Sequence, residues 1–578
     1  KNVLSYSRAL PIVVLAIFIL LNSLNGLPQL FRVLTLTPVV FFLPGYLLLN
    51  MSKIVGENLL DTLLLAFLLS YLINIPILLL ARLLPLDPKA LLSATFLAIS
   101  LTCLYMEIKN DKRQRSFLRS KKGLKHHACL VFCILFMATT LALLYPSMLK
   151  VTNLDIVRHY ESAVRYYEGL SYCESIYPLY YIPVSILIVW TEASAEATFT
   201  ALAFLSLLLP LSYYLFVRRV VRDKEVAALS TVIFTTFSGL GWALLIRRLV
   251  QGMPMLEAVR GLAASTYWDI GYGVTAYIWL WFRPMTVGMI GLLTALSLLR
   301  GNERMIPPML MIIAFTHLPE LVFLIALLLL LSILSEEYGK FFVKIRTKLI
   351  ITLLVIVLIF YLLSALKPGR TWDIRRELTV LVLSLLVAAQ PPLLKVLSLM
   401  RAKLSIVLRP KSIRLISLVL IAAYLGLFVW WLGNPSIFSL EESVGRRYFG
   451  GRLYAVPTYM YPVLLGIAPI LSLLHLHRAT DRQGKGLMLL ALASAFFLLF
   501  AKLNTLINTS LSVVFYFERR MVSLVFMTLT PLAAAYIREL AGRRDLLPRL
   551  ALLAIFLAGS ASTLLTVAYW HIGLKGSP

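Results

Sequence analysis

The sequence predicts an all-α polytopic membrane protein, a bundle of about 14–18 transmembrane helices with short external loops and some interfacial helices. Three observations predict it. Apolar residues make up 60% of the 578 residues, and mean hydropathy is +0.86. Charged residues make up only 14%, against about a quarter in soluble domains. Apolar runs of about twenty residues recur along the chain, and no polar stretch exceeds about 35 residues, which excludes a large soluble domain.

The net charge is +28. In a soluble protein this would point to nucleic acid. Here the lysines and arginines gather between apolar runs, the pattern of cytoplasmic loops, and no nucleic-acid partner is expected. The four cysteines, Cys103, Cys129, Cys133 and Cys173, form no CxxC pair. They support neither a disulfide framework nor a metal site. Cys129 and Cys133 fit as small packing residues on one span. The first apolar run, 10–27, reads as a membrane helix rather than a signal peptide.

The spans follow in order. Five come first, near 9–26, 33–50, 60–82, 89–106 and 127–146. The loop "EIKNDKRQRSFLRSKKGLKHH" between the fourth and fifth is strongly basic and so cytoplasmic. The fifth span then leads outward and puts Asp155 on the outer face. The next basic cluster, Arg218 to Glu225, is inside again, so the chain crosses an odd number of times between them. The piece 177–190 is short and contains Pro178 and Pro183, so it is expected at the interface or re-entrant. The run 196–217 crosses. A span near 225–246 exits, and one near 284–299 returns. Two short pieces, 306–317 and 320–335, make an out-and-back hairpin that turns at "THLPE". Spans near 349–366, 378–397, 415–433, 456–474, 486–503, 521–537 and 547–570 complete the chain.

This parity collects acidic and aromatic residues on the outer face and plain lysine and arginine on the inner one. The outer face is therefore the expected working face. Its densest mixed-charge stretch is "VTNLDIVRHYESAVRYYEGLSY". As a helix it would set Asp155, His159 and Ser162 on one side, with Arg158 and Arg165 one step round and Glu161 nearby. An acid beside His and Arg at a membrane surface fits binding of a phosphorylated headgroup and deprotonation of a hydroxyl. A charged amphipathic helix lying on the membrane fits the same pattern. Four further outer positions are candidates. Arg283, in "YIWLWFRPM", suits a phosphate or sugar contact, or a snorkelling arginine among aromatic anchors. His317 and Glu320, between two short spans, suit a cavity-facing polar pair or a helix cap. Trp268 and Asp269 suit substrate contact or an ordinary turn. Arg519 and Arg520, after "FYFE", suit phosphate binding or an ion pair with Glu518. The triplet starting at Asn508 is a sequon on the outer side.

An outer-loop Asp155 after an early span, then the proline-containing "IYPLYYIPVSIL", then many spans, resembles the GT-C glycosyltransferases. The stretch "FYFERRMVSLVFMTLTPLAAAYI" is similar to that family's late span, where arginine at the outer end precedes a proline-containing helix. The resemblance covers roughly residues 127–540. It implies a GT-C-like bundle that transfers a sugar from a polyprenyl-phosphate donor to a glycan, lipid or protein acceptor at the extracytoplasmic face of the cell membrane. It implies Asp155 as general base. It also implies Arg519 and Arg520 as donor-phosphate ligands. Beside it, the residue pattern itself offers Arg158, His159, Glu161, Trp268, Asp269, Arg283, His317 and Glu320 as candidate substrate-binding residues. The Asp155 segment has no DxD or ExD pair, the mark of metal-using members, and the chain has no WWDYG element. No cofactor is called for, and metal dependence stays open.

The expected organisation is N-terminal spans over 1–126, a catalytic membrane core over 127–545 and a last helix over 546–578. Two other classes fit the same spans. A flippase for a lipid-linked saccharide would favour internal repeats and midplane charges, and no repeat is evident. A scaffold subunit would use its basic loops to dock a partner or anionic membrane lipid.

Overall fold

The computed structural model describes residues 28–52, 59–83, 98, 105, 124–148, 159–164, 177–255, 257–258, 282–298, 303–334, 336–365, 375–391, 410–433, 461–478, 485–507, 517–543 and 545–573. Every regular element among the described residues is helical. The fold is all-α, as the composition predicts. Among the described residues six helical stretches are long and apolar enough to cross a membrane: Gln29–Tyr46, Ala195–Val221, Tyr338–Leu362, Lys411–Gly433, Val522–Ala541 and Leu546–Leu565. Shorter apolar helices include Pro284–Leu298, Ile306–Thr316 and Leu318–Ile333.

The chain divides into two compact units. The first holds Lys1–Gly123, Met148–Leu215 and Trp279–Pro392. The second holds Leu124–Ser147, Phe216–Ile278 and Leu393–Pro578. The N-terminal helices thus belong to the same unit as the His159 and His317 segments.

In the first unit the helix Pro284–Leu298 is buried along its whole length. It has no polar stripe, the signature of a helix enclosed on all sides. The helix Pro178–Thr191 is also buried from Leu179 through Leu187, with Tyr180, Val184 and Leu187 at 0% exposure. It packs against Gln29–Phe41, Leu59–Leu83 and Ile306–Thr316. Pro178 opens it, where a missing N–H is harmless. The expected span 33–50 is broken at Phe42, because Pro38 and Pro44 restrict the backbone there. Across Leu43–Ser52, Gly45 lies so close to the next helix that a β-carbon would sit 1.8 Å from the Ala66 carbonyl oxygen. The Ser70 hydroxyl accepts from the Gly45 N–H at 2.9 Å. Small residues allow such backbone approach between apolar helices. The basic stretch expected as a loop before residue 349 is instead the opening of one helix, Glu336–Ala365, since Lys, Arg and Glu are good helix formers.

In the second unit the expected span 225–246 is two helices, Lys224–Thr236 and Trp242–Val250. The break falls on Phe237–Gly241, "FSGLG". Its backbone groups find partners on the helix Leu546–Gly573. Ser238 N–H donates to the Gly559 carbonyl at 2.8 Å, and the Ser562 hydroxyl donates to the Gly239 carbonyl at 2.7 Å. Trp242 N–H donates to the Ser562 hydroxyl at 3.0 Å, and the Trp242 indole donates to the Ala558 carbonyl at 3.0 Å. Broken helices among apolar spans persist only when the freed groups are satisfied in this way. The span 456–474 likewise breaks at Gly466, which has φ +66, a conformation glycine adopts without strain. A β-carbon there would also meet the Ser238 carbonyl oxygen at 2.2 Å.

Candidate functional site

The first unit brings together the segments around His159, Tyr177, Arg283 and His317. Residues 159–164 are helical, and the helix Pro178–Thr191 lies beside them. The Ser185 hydroxyl donates to the Ala163 carbonyl at 2.7 Å and so ties the two. His159 is 8% exposed, and its Nδ1 is hydrogen-bonded to the Tyr181 hydroxyl at 2.7 Å. Its ring also lies against Tyr180 and Tyr177, with centroids at 5.7 and 6.4 Å.

His317 reaches the same place from another direction. The helix Ile306–Thr316 ends at His317, whose backbone is extended at φ −163 and ψ 101. The next helix starts at Leu318. Pro319 forbids an unbroken helix here, and the "THLPE" turn forms where the sequence predicts it. Three residues on, Glu320 returns its carboxylate to the ring, and His317 Nδ1 is paired with Glu320 Oε2. Both are buried, at 3% and 1%. Glycine at 288 lets this pair approach the Pro284–Leu298 helix, since a β-carbon there would stand 3.0 Å from His317 Cβ and 3.2 Å from Glu320 Oε2. Tyr177 joins the two histidines, its ring 5.3 Å from His317 and tilted by 34°. It is half-buried, while Tyr180 and Tyr181 beneath it are buried.

Arg283 stands at the edge of this cluster. Its N–H donates to the Thr286 hydroxyl at 3.4 Å, at the start of the Pro284 helix. The carbonyl of Phe282 accepts from the Tyr180 hydroxyl at 2.6 Å. Phe282 extends the cluster inward to Phe41 and Phe67, at 5.8 and 6.4 Å.

Of the residues predicted from sequence, the structure brings His159, His317, Glu320 and the backbone of Arg283 into one connected set. Glu161 is on the same short helix as His159 and is exposed. Asp155, Arg158, Trp268 and Asp269 lie outside the described residues. Arg519 and Arg520 occupy the first turn of the helix Phe517–Ala541 in the second unit, and their side chains lie outside the described residues. Tyr177, Tyr180, Tyr181 and Phe282 were not singled out by the sequence reading. The signal was present: tyrosines at i, i+3 and i+4 in "YPLYY" share one helical face. Among the described residues no group of three or more His, Cys, Asp or Glu could hold a metal ion.

Chemically the cluster is polar at its centre and aromatic at its walls. Two imidazoles and a carboxylate are held out of water by tyrosine and phenylalanine rings. Such an arrangement can orient an anion or a hydroxyl and present ring faces to a sugar.

No protein-family model matches the sequence, and no curated protein matches it. Among solved structures, the fold is similar to the crystal structure of the apo oligosaccharyltransferase of Archaeoglobus fulgidus, with 13% identity and a TM-score of 0.43 over 78% of this chain. The match spans 56% of that protein's length.

Proposed function

We propose that the chain is a membrane glycosyltransferase working at the outer face, taking a sugar from a polyprenyl-phosphate donor and passing it to an acceptor hydroxyl or amide. One observation carries the reading. His159 and the His317–Glu320 pair meet around Tyr177, and parity puts all of these segments at outer span ends.

In the proposed reaction the acceptor atom attacks the anomeric carbon. The bond from that carbon to the phosphate oxygen breaks, and the polyprenyl phosphate leaves with the electron pair. Asp155 takes the acceptor proton. The phosphate charge is met by Arg158 and Arg283 together with the imidazoles of His159 and His317. Glu320 orients the His317 ring by accepting at Nδ1, and Tyr181 does the same for His159 through its hydroxyl. Glu161 is a candidate acceptor contact. Arg519 and Arg520, and Trp268 with Asp269, stay sequence-derived candidates of the second unit for donor and acceptor binding.

The test is sugar transfer from radiolabelled polyprenyl-phosphate sugars in proteoliposomes, with Asp155→Asn beside the wild type. We expect transfer by the wild type and a drop of about 10²–10⁴-fold in the variant, with donor binding retained. Movement of labelled lipid between leaflets with no transfer would sink the reading and favour a flippase.

A further inference from the structure

We infer that Tyr180 is a positioning residue that fixes Arg283 relative to His159, acting on the donor phosphate through Arg283. This rests on the glycosyl-transfer reading above.

Tyr180 touches both sides of the cluster. Its ring lies 5.7 Å from the His159 ring and 5.7 Å from the Phe282 ring, tilted by 38°. Its hydroxyl donates to the Phe282 carbonyl at 2.6 Å, across 102 residues of sequence. It is fully buried. Packing alone would be met by phenylalanine. A tyrosine at full burial needs a partner for its O–H, and the partner here is the peptide that enters Arg283.

That peptide is not part of a helix. Phe282 and Arg283 precede the helix and carry no regular structure. The Arg283 carbonyl is held by the first turn, accepting from Thr286 and Val287 N–H at 2.9 and 3.3 Å. The Phe282 carbonyl lies outside the helix ladder, so the Tyr180 hydroxyl sets the direction from which the chain enters Arg283. The Phe282 ring is wedged against Phe41 and Phe67. The helices Gln29–Phe41 and Leu59–Leu83, for which the sequence offered no role, thus buttress the same turn. An arginine stem has several free torsions, and anchoring its backbone is the economical way to aim it.

The experiment uses the full chain in lipid nanodiscs, with sugar-free polyprenyl phosphate as the probe. Binding is compared for wild type, Tyr180→Phe, Arg283→Gln and the double variant. Phenylalanine keeps the ring contacts and removes only the hydroxyl. Tyr180→Phe is expected to weaken binding about fivefold to tenfold, the cost of one buried hydrogen bond. In the Arg283→Gln background it is expected to add less than about twofold, because the two act as one unit. In transfer assays the loss falls on KM for the donor rather than on kcat. Equal weakening in both backgrounds overturns the inference and leaves the glycosyl-transfer reading standing, as does full binding by Tyr180→Phe. A wild type that binds no polyprenyl phosphate overturns both.

Discussion

Each unit holds a histidine beside a glutamate, and the two pairs differ in what surrounds them. In the first unit His317 and Glu320 are both buried, with the Tyr177 ring alongside. In the second, His475 meets Glu539 at 2.9 Å, and Glu539 is 40% exposed. Next to that pair, Arg538 is paired with Asp223, both partly exposed, and the Arg478 guanidinium lies 5.0 Å over the Tyr536 ring. The same chemistry thus has two settings. His475 itself is buried, at 5%, so the pairs differ in the carboxylate, and a pair whose carboxylate stays in solvent contributes little beyond fastening helix ends. A pair removed from water keeps its polarity for whatever enters, because charges interact several-fold more strongly there.

The sharpest way to break this comparison is to neutralise each glutamate in turn. Glu320→Gln keeps an oxygen for His317 Nδ1 and removes the charge. It should lower sugar transfer by about 10²-fold, the typical loss when one preorganised polar group is removed from a reaction centre. Glu539→Gln should change transfer less than about twofold. Initial rates on purified variants in proteoliposomes decide it, with size-exclusion profiles as the control for folding. Equal losses from both would remove the distinction between a working pair and a fastening pair.

How much of this was visible in the sequence depends on how local the cause was. The turn at His317 was legible, because Pro319 and two short apolar runs dictate it from within a few residues. Charge bias and parity group His159, Arg283 and His317 only as an expectation, and they say nothing of the tyrosines through which these residues meet. The break at Phe237–Gly241 was not legible. Its residues sit inside a continuous apolar run, and its stability comes from Gly559 and Ser562, 321 and 323 positions away in the Ser238 and Gly239 contacts. Tyr180 was hidden for the same reason, because its partner is the backbone of Phe282. A carbonyl has no sequence signature. The paired tyrosines at 180 and 181 were visible as a face, but nothing nearby says what that face meets.

A smaller effect sharpens the second unit's side of the comparison. Asp223 does two jobs. Its carboxylate caps the helix Lys224–Thr236, accepting from Glu225 and Val226 N–H at 2.9 and 3.1 Å, and it pairs with Arg538. Desolvation pushes its carboxyl pKa up, but the Val226 N–H, the Arg538 guanidinium and the Glu225 N–H together outweigh this and hold it below its ordinary value. A lowered folded-state pKa means stability present above about pH 4 and lost as pH falls through the folded value. Asp223→Asn keeps the cap and loses the pair, while Asp223→Ala loses both. Thermal unfolding in detergent at pH 7 should show Asp223→Ala destabilised by about 1–2 kcal/mol and Asp223→Asn by less than about 1 kcal/mol. The gap between wild type and Asp223→Asn should shrink below about pH 4. Transfer activity should follow folded protein in both.

The smallest effect tests the first unit where its aromatic wall is most enclosed. Tyr71 is fully buried beside Phe41 and Phe67, with ring centroids at 5.9 and 5.5 Å. Among the described residues its hydroxyl has no hydrogen-bond partner. Tyr180, by contrast, spends its hydroxyl on the Phe282 carbonyl. Two buried tyrosines in one unit therefore predict opposite responses to the same substitution. Tyr71→Phe removes an unsatisfied polar atom and should leave stability unchanged or raise it by up to about 1 kcal/mol. Donor KM should stay within about twofold of wild type, since the ring that packs on Phe41 and Phe67 is retained. Tyr180→Phe should leave an unsatisfied carbonyl behind and weaken donor binding. If Tyr71→Phe instead raises the donor KM as much as Tyr180→Phe does, the hydroxyl at 180 holds no special place, and the aromatic cluster acts only through its bulk.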